Sequence, residues 1–206
     1  VRGDITDYFN VLRTINRYDV DAVAHLAAMS IVKTAYRDPI NCFRTNVMGT
    51  VHVLEACRQV GVEKVLIQST DKVFGNQIGA TKDSKLIPTE PYGTSKICTD
   101  VAAQCFMNTY EMNICITRCC NVYGFDLNDR IIPNTIKACF RGESPIIYKN
   151  DKSVRQYIYV QDVVDTYIYL LTVERHVKGT VNVATPTVLT QEEVVLKILE
   201  FFPGLD

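Results

Sequence analysis

The sequence predicts an α/β protein in which helices cover both faces of a doubly wound parallel sheet. Short apolar runs, such as Val65–Gln68, alternate with longer segments whose apolar residues recur at helical spacing. Consecutive apolar residues are typical of strands buried on both faces, which is the environment of a parallel sheet. After Gly124 this rhythm changes, and short strands and helices mix.

The elements of the first half follow from periodicity and from residues that start or stop helices. Tyr8–Ile15 has helical spacing. Asp38-Pro39 opens a second helix, because proline at an early helical position loses no needed N–H, and Gly61 ends it. The remaining predictions are strands at 22–28, 65–68 and 114–122, a polar loop at 75–84 and a helix at 92–110.

The second half is predicted with the same criteria. Thr190-Gln-Glu-Glu193 forms a capping box, which indicates the start of a helix that runs to Phe201. The other predicted elements are helices at 133–140 and 163–171 and strands at 145–148, 157–160 and 181–184.

Composition excludes several classes of function. The chain of 206 residues is 47% hydrophobic and 22% charged, which is ordinary for a globular protein. A net charge of -1 gives no attraction to nucleic acid or to an anionic membrane, and no apolar stretch approaches the roughly 20 residues of a membrane helix. The eight cysteines contain no C-x-x-C, and the pair Cys119-Cys120 suits neither zinc nor an ordinary disulfide. We expect free thiols, no metal site and a cytoplasmic location.

Two short motifs place chemical groups near one edge of the predicted sheet. Ser69–Lys72 follows an apolar strand, and the carboxyl ends of strands are where open α/β sheets bind ligands. Tyr92 and Lys96 are four residues apart, so on a helix they share a face, about 6 Å apart along the axis. A lysine ammonium lowers the pKa of a nearby phenol. The phenol can then accept the proton of a sugar or alcohol hydroxyl while a hydride leaves the carbon that bears this hydroxyl. Alone, Y-x-x-x-K is a weak motif, and an exposed helical pair is the competing interpretation.

Further motifs surround this pair in a fixed order. Together they resemble the extended short-chain dehydrogenase/reductase family, within it the NAD-dependent epimerases and dehydratases, over essentially the whole chain. The motifs are Gly3-Asp4-Ile5, His25-Leu-Ala-Ala28, Asn46-Val-Met-Gly-Thr50, Gly61-x-x-x-Val65-x-x-x-Ser69-Thr70, Arg118-x-x-Asn121-Val-Tyr-Gly124 and Arg155-x-Tyr-Ile-Tyr-Val-x-Asp162-Val163.

The resemblance implies a Rossmann fold divided into two domains. Residues 1–124 correspond to a partial NAD-binding domain and 125–206 mainly to a substrate-binding domain, with the strand near 180–184 returning to the first sheet. The family's Gly-rich phosphate turn, G-x-x-G-x-x-G, does not occur among the ten glycines. We therefore expect this turn upstream of Val1, and we expect the truncated chain to bind a dinucleotide poorly and to be inactive alone.

The resemblance also implies roles for individual residues. Tyr92 is the catalytic base and Lys96 binds the nicotinamide ribose of NAD, with NADP not excluded. Asp4 has a competing interpretation as a helix cap ahead of Thr6, and Asn46 as an exposed polar residue. The implied cofactor-binding residues are Asp4, Ile5, Leu26, Ala27, Ala28, Asn46, Ser69, Tyr92 and Lys96. The implied catalytic residues are Thr70, Asp71, Lys72, Tyr92 and Lys96.

By resemblance, Asp71 and Lys72 indicate which of the reactions known in this family the protein catalyses. Sugar-nucleotide 4-epimerases usually lack an acid and base pair at these positions, whereas 4,6-dehydratases carry one. Oxidation at C4 acidifies the C5 proton, so a base removes it while an acid protonates the departing C6 hydroxyl. We assign Asp71 as the acid and Lys72 as a candidate base, which favours a 4,6-dehydratase similar to those acting on CDP-glucose or GDP-mannose. A 4-epimerase and a non-catalytic nucleotide-binding scaffold remain as alternatives, and a surface Asp-Lys pair is the plain interpretation.

The implied partner is a nucleotide-diphosphate sugar. Guanidinium forks match phosphate geometry, so Arg130 and Arg155 suit the diphosphate, although both also fit ordinary surface charge. By resemblance, the helices near 39–60 and 92–110 form a four-helix bundle in a homodimer. The implied substrate-binding residues are Asn121, Arg130, Pro133, Tyr148, Arg155 and Asn182.

Overall fold

The computed structural model describes residues 1–126, 128–147 and 153–205. These form two compact units, one of Val1–Cys119 with Val164–Val183 and one of Cys120–Val163 with Ala184–Asp206. Within the described ranges the helices are α1 (Tyr8–Arg17), α2 (Val32–Arg37), α3 (Pro39–Phe43), α4 (Gly49–Val60), α5 (Pro91–Thr109), α6 (Ile131–Phe140), α7 (Val160–Thr172) and α8 (Gln191–Leu199). The strands are β1 (Ala22–His25), β2 (Lys64–Thr70), β3 (Ile114–Cys119), β4 (Asn121–Tyr123), β5 (Val154–Tyr159), β6 (Gly179–Val183) and β7 (Val188–Thr190).

The first unit is built on a four-stranded sheet in the order β1-β2-β3-β6, and every neighbouring pair is parallel. Val65 is paired with Ile114 in the register of β2 and β3, and Ser69 is paired with Arg118. Arg118 is paired in turn with Asn182 of β6. The α/β fold class with a parallel sheet and flanking helices is confirmed.

The main core of the first unit lies between the sheet and three helices. Alternate strand residues face it, including Val65 and Ile67 of β2 and Ile114 and Ile116 of β3. Apolar residues of α1, α4 and α5 complete the core, among them Ile15, Val53, Leu54, Ala103 and Met107. Thr117 follows the core-facing Ile116, so its side chain points to the other face of the sheet, where its hydroxyl donates to Tyr167 of α7 at 3.1 Å.

The second unit is a smaller mixed structure. Its sheet has the order β4-β5-β7, with β4 parallel to β5 and β7 antiparallel to it. Phe140 of α6 meets the ring of Phe202 edge-on after α8. Thr190 and Glu193 form the predicted capping box at the start of α8.

Several predicted elements differ in extent from the structure. The strand predicted at 22–28 ends at His25, whereas β2 extends through Ser69 and Thr70. The single strand predicted at 114–122 is two strands, β3 and β4, which belong to different sheets on either side of Cys120. Helix α2 and strand β7 were not predicted. No strand occupies the described part of 145–148, and Tyr148 lies outside the described residues.

The helix predicted from Asp38 to Gly61 is continuous but irregular. Arg44–Met48 forms a π-helical turn between α3 and α4. Such turns insert one extra residue and are frequent at functional sites. Gly61 ends α4 in the left-handed conformation, with φ of 83°. No helix of the described ranges is long and apolar enough to cross a membrane.

Candidate active site

The end of β2 leads directly into a 3₁₀ turn formed by Asp71–Phe74. Ser69 and Thr70 are buried, while Asp71 and Lys72 are partly exposed. The Thr70 hydroxyl accepts the Lys72 backbone N–H at 3.3 Å and donates to the Asp71 carboxylate at 3.1 Å. Thr70 thus caps the turn and orients the carboxylate that follows it.

The start of α5 lies against this turn. The Glu90 carboxylate caps the helix, because its two oxygens accept the backbone N–H groups of Tyr92 at 2.8 Å and Gly93 at 2.6 Å. A Cβ atom added to Gly93 would stand 3.3 Å from the Lys72 carbonyl oxygen. The missing side chain at Gly93 therefore permits this close approach, which brings the Ser69–Lys72 and Tyr92–Lys96 motifs together.

Lys96 projects from α5 toward the sheet. Its Nζ donates to the Gln68 carbonyl of β2 at 2.6 Å, and its side chain is buried. Burial lowers the pKa of Lys96 to about 8, while the nearby Asp100 carboxylate opposes this shift. Tyr92 is 8% exposed and packs in a small cluster with Ala35 and Cys42.

Asn46 lies in the π-helical turn and is buried, so the competing interpretation of an exposed polar residue is wrong. Its side-chain oxygen accepts the Met29 N–H at 2.7 Å, and its amide donates to the Met29 carbonyl at 3.1 Å and to Ser95 Oγ at 2.9 Å. Ser95 donates in turn to the Tyr92 carbonyl at 2.7 Å. Asn46 therefore links the segment after β1 to helix α5.

A second set of buried hydroxyls holds the same turn, and no periodic pattern in the sequence predicts it. Thr50 and Thr99 both donate to the Asn46 carbonyl, at 2.6 and 3.2 Å. Because Thr50 gives its proton to Asn46, the Nε2 of His25, which is 3.0 Å from Thr50 Oγ1, is the donor of that bond. Burial lowers the pKa of His25 to about 4, so the ring is neutral.

An ion pair lies on the far side of Lys96. Arg118 Nε donates to Asp100 Oδ2 at 2.8 Å, and the two side chains are 3% and 0% exposed. Burial raises the pKa of Asp100, whereas the Arg118 guanidinium lowers it. Ser69 Oγ and Asp100 Oδ1 are nevertheless buried without a hydrogen-bond partner within 3.5 Å among the described residues. Asp100 follows Lys96 by one helical turn, a spacing visible in the sequence.

The predicted cofactor-binding residues near the start of the chain line one open cavity of about 380 Å³. Asp4 and Ile5 lie on one side, and Leu26 and Ala27 lie beyond the end of β1. Leu26 is 50% exposed, and the exposed Asp4 carboxylate accepts two bonds from Thr6. The competing interpretation makes Asp4 a helix cap ahead of Thr6. Asp4 does accept bonds from Thr6, but the N-cap of α1 is Asp7. Apolar walls beside one carboxylate fit the base and ribose of an adenosine group.

The predicted substrate residues are distributed over the two units. Asn121, Arg130, Pro133 and Arg155 belong to the second unit, and Asn182 belongs to β6 of the first. The Asn121 amide donates to the Gln156 carbonyl at 3.2 Å. Arg130 pairs with Asp126 at 3.5 Å, and Arg155 donates to the Val154 carbonyl at 2.8 Å. The Asn182 amide donates to the Ala80 carbonyl at 3.4 Å. Their contacts with substrate remain predictions.

Comparison with known proteins gives one family and many relatives. Residues 1–184 match the model of the NAD dependent epimerase/dehydratase family. The chain is 32% identical over 181 residues to the CDP-glucose 4,6-dehydratase of Salmonella typhimurium, covering 81% of this chain and 50% of that protein. It spans about half the length of this and of the similar dTDP-D-glucose 4,6-dehydratase of Dictyostelium discoideum.

Solved structures of two activities share the fold. The dTDP-glucose 4,6-dehydratase of Streptomyces venezuelae, solved with NAD and TYD bound, is 30% identical with a TM-score of 0.89, covering 100% of this chain and 64% of that one. The UDP-glucose 4-epimerase of Thermus thermophilus, solved with NAD, is 27% identical with a TM-score of 0.86, covering 97% and 67%.

Proposed function

Because the chain belongs to the NAD dependent epimerase/dehydratase family, we propose that it forms part of a nucleotide-sugar 4,6-dehydratase. The enzyme converts a nucleoside diphosphate hexose into its 4-keto-6-deoxy derivative with loss of water. One observation carries the proposal: the turn that bears Asp71 and Lys72 lies against the start of the helix that bears Tyr92 and Lys96. An acid and a base thus accompany the redox pair.

We assign the cofactor to the side of the sheet where β1 and β2 end. NAD, when bound, would supply the acceptor for the C4 hydride and the donor of the hydride to C6. The chain's own contribution is the apolar cavity beside Asp4 and the buried ammonium of Lys96. Neutral pH is below the Lys96 pKa of about 8, so its amine carries a positive charge. The residues proposed to hold the cofactor are Asp4, Ile5, Leu26, Ala27, Ala28, Asn46, Ser69, Tyr92 and Lys96.

Tyr92 removes the proton of the C4 hydroxyl as that carbon is oxidised. Lys96, one helical turn after Tyr92 on the same buried face of α5, is assigned to place a positive charge near the reacting phenol. Asn46 and Ser95 hold the helix that carries both residues. Thr70, whose hydroxyl lies at the end of β2, is assigned to contact the same C4 oxygen.

Asp71 and Lys72 perform the elimination. Lys72 removes the C5 proton, which the new C4 carbonyl has made acidic, and Asp71 protonates the C6 hydroxyl as it leaves as water. The C5–C6 double bond that forms then accepts hydride at C6 and a proton at C5, so the product differs from the substrate by one water. The bond from Thr70 to Asp71 orients the acid for this step.

The contacts proposed for the nucleotide sugar are those that the family resemblance implies. Arg130 and Arg155 are assigned to the diphosphate because guanidinium groups bind phosphate oxygens in pairs. Asn121, Pro133 and Asn182 are assigned to the remaining contacts, with Tyr148 outside the described residues. The likeness to the 4-epimerase of Thermus thermophilus supports a second candidate, inversion at C4, in which Asp71 and Lys72 only line the pocket.

Product analysis tests the proposal. The full-length protein is incubated with CDP-glucose, dTDP-glucose and UDP-glucose in deuterated water. We expect a 4-keto-6-deoxy product that carries deuterium at C5. Inversion at C4 without loss of water would establish the epimerase instead, and bound NAD without any hydride transfer would favour a binding protein.

Asp71→Asn tests the assignment of the acid. We expect dehydration to fall by a factor of about 100 or more, because a positioned general acid contributes that much, while C4 oxidation persists and reduced cofactor accumulates. Asp83→Asn is the matched control, since Asp83 is exposed and pairs with Lys82. Equal loss of both steps would contradict the role given to Asp71.

We also propose a homodimer in which the helices near 39–60 and 92–110 of two subunits pack together. Exposed apolar side chains on these helices support it, namely Ile40, Met48 and Val101. Val101→Glu should yield monomers on light scattering of the full-length protein. Val188→Glu, on a strand of the second unit, is the control and should leave the dimer intact.

A further inference from the structure

The buried guanidinium of Arg118 contacts both the helix that carries Tyr92 and Lys96 and the turn that carries Asp71 and Lys72. Arg118 lies on β3 and is 4% exposed. Its Nε reaches Asp100 on α5, its Nη1 donates to the Lys82 carbonyl at 2.8 Å, and its Cζ lies 5.1 Å from the centre of the Phe74 ring. All three partners precede Arg118 in sequence by 18 residues or more.

The first contact fixes helix α5. Asp100 follows Lys96 by four residues and lies on the same buried face. A buried carboxylate requires a charged partner, and the Arg118 guanidinium is that partner at 2.8 Å. The helix that carries Tyr92 and Lys96 is therefore attached to β3 at the level of Ser69, which is paired with Arg118 in the sheet.

The other contacts fix the turn that carries Asp71 and Lys72. Phe74 is the last residue of this 3₁₀ turn, and its ring packs against the guanidinium. The loop that follows is held at two neighbouring points, the Lys82 carbonyl by Arg118 and the Ala80 carbonyl by Asn182.

The same loop closes back on the turn, since the Ile87 N–H donates to the Val73 carbonyl at 2.8 Å. The turn and its loop thus form one closed unit. The guanidinium of Arg118 holds that unit on the side that faces β3.

We propose that Arg118, with Asp100 as its counterion, is a positioning residue that keeps the Asp71–Lys72 turn and the Tyr92–Lys96 helix in one fixed arrangement. The inference rests on the proposed function, because it concerns the geometry between the redox pair and the elimination pair. Arg118 acts through other residues, since its side chain is buried against Asp100, Phe74 and the loop carbonyl. A shift of about 1 Å between the two pairs slows elimination strongly, because elimination needs Asp71 and Lys72 in addition to the Tyr92–Lys96 pair that carries out C4 oxidation.

Two variants and one control test the proposal in the full-length protein. Arg118→Lys keeps the charge opposite Asp100 but loses the fork that also reaches Lys82. The double variant Asp100→Leu with Arg118→Met removes the ion pair as a unit, so neither partner stays buried without its counterion, and Lys96 keeps its bond to the Gln68 carbonyl. Arg58→Met is the control, because Arg58 forms the same kind of fork with Glu55 and stacks on Tyr110 at 4.8 Å, but on the surface.

The first measurement is amide hydrogen exchange and does not depend on activity. In both Arg118 variants we expect residues 71–87 to exchange about ten times faster, with little change in the strands of the first sheet. The control should match the wild-type protein. Unchanged exchange in 71–87 in both variants would overturn the inference.

The second measurement is the ratio of dehydrated product to accumulated reduced cofactor. We expect this ratio to fall about tenfold in the Arg118 variants, since elimination is impaired more than C4 oxidation. A merely structural role would lower both steps equally, leave the ratio unchanged and overturn the positioning role. If the wild-type protein forms no 4-keto-6-deoxy product, the proposed function fails, and hydrogen exchange still decides whether Arg118 holds the turn.

Discussion

The predicted site residues of the first unit and those of the second unit are held in different ways. Asn46 and Lys96 are buried and bond to backbone groups 17 and 28 residues away in sequence. Arg130 and Arg155 bond instead to groups four residues and one residue away, and neither is buried. Asn121 is intermediate, because its amide reaches a carbonyl on the neighbouring strand 35 residues away.

The two ways of holding a side chain suit two different functions, a fixed position in a catalytic site and movement toward a bound ligand. A buried side chain that bonds across the fold has one position, and losing it costs stability because its partners stay buried without hydrogen bonds. A side chain bonded only to its sequence neighbours turns toward a ligand at little cost. We therefore expect substitutions of Asn46 and Lys96 to alter folding and chemistry together, and substitutions of Arg130 and Arg155 to alter substrate affinity alone.

The largest effect is expected from Asn46→Ala. The substitution leaves both backbone groups of Met29 without their partner and removes one of the bonds to the Ser95 hydroxyl, so the free energy of unfolding should fall by roughly 3 to 4 kcal/mol. Urea unfolding measures the loss. Asn41→Ala, an exposed change near the start of the same helix, is the control and should cost less than about 0.5 kcal/mol. Equal effects of the two variants would break the comparison.

Lys96 gives the first unit a dependence on pH. Burial lowers its pKa from 10.5 to about 8, so between these values the unfolded chain binds more protons than the native protein. This group therefore adds stability as pH rises from 8 to 10.5, by up to about 3 kcal/mol.

Lys96→Met should remove that rise, whereas the exposed Lys85→Met should keep it. Urea unfolding at pH 7, 8, 9 and 10 measures both slopes. The same slope in Lys96→Met and in the wild-type protein would contradict a buried, titrating lysine.

A smaller effect is expected from Glu90→Ala at the start of α5. The change removes the carboxylate that accepts two backbone N–H groups, and loss of such a cap costs about 1 kcal/mol. Thermal unfolding measures it, with Glu192→Ala in the first turn of α8 as the control. The Glu90 carboxylate also holds the N–H of Gly93, the residue that lies close to the Lys72 carbonyl. A loss of activity without a loss of stability would therefore show that this cap serves the site more than the fold.

Arg130→Ala should change stability least. The pair with Asp126 is long and exposed, so the free energy of unfolding should stay within about 0.5 kcal/mol of the wild-type value. The KM for the nucleotide sugar should rise about tenfold, because a charge-assisted bond to phosphate is lost, while kcat is kept. Steady-state kinetics of the full-length protein measure both constants. A destabilised variant would show that the second unit is held like the first.

Periodicity predicted the class of fold because it records which side chains are buried. The ends of some helices were also predictable from local chemistry, as at Gly61, where α4 ends, and at the Thr190 capping box, where α8 begins. The division at Cys120 was missed, since consecutive buried residues do not reveal that the chain changes sheets. The π-helical turn was missed for a similar reason, because its apolar spacing passes for that of a regular helix.

The site was predictable only where its residues lie close in sequence. Tyr92 and Lys96 form a motif, and so do Thr70, Asp71 and Lys72. The contacts of His25 with Thr50 and of Asp100 with Arg118 join segments 25 and 18 residues apart, which pair only once the sheet has formed. No local pattern carries that information.

The π-helical turn at Arg44–Met48 makes this stretch intolerant of changes in chain length. Each residue of a helix advances the direction of its side chain by about 100°, so deleting one residue here would rotate α4 by that angle relative to α3. Either Asn46 would leave Met29 and Ser95, or Val53 and Leu54 would leave the core. The extra residue thus sets the phase between two halves of one helix, one aligned with the catalytic residues and the other with the interior.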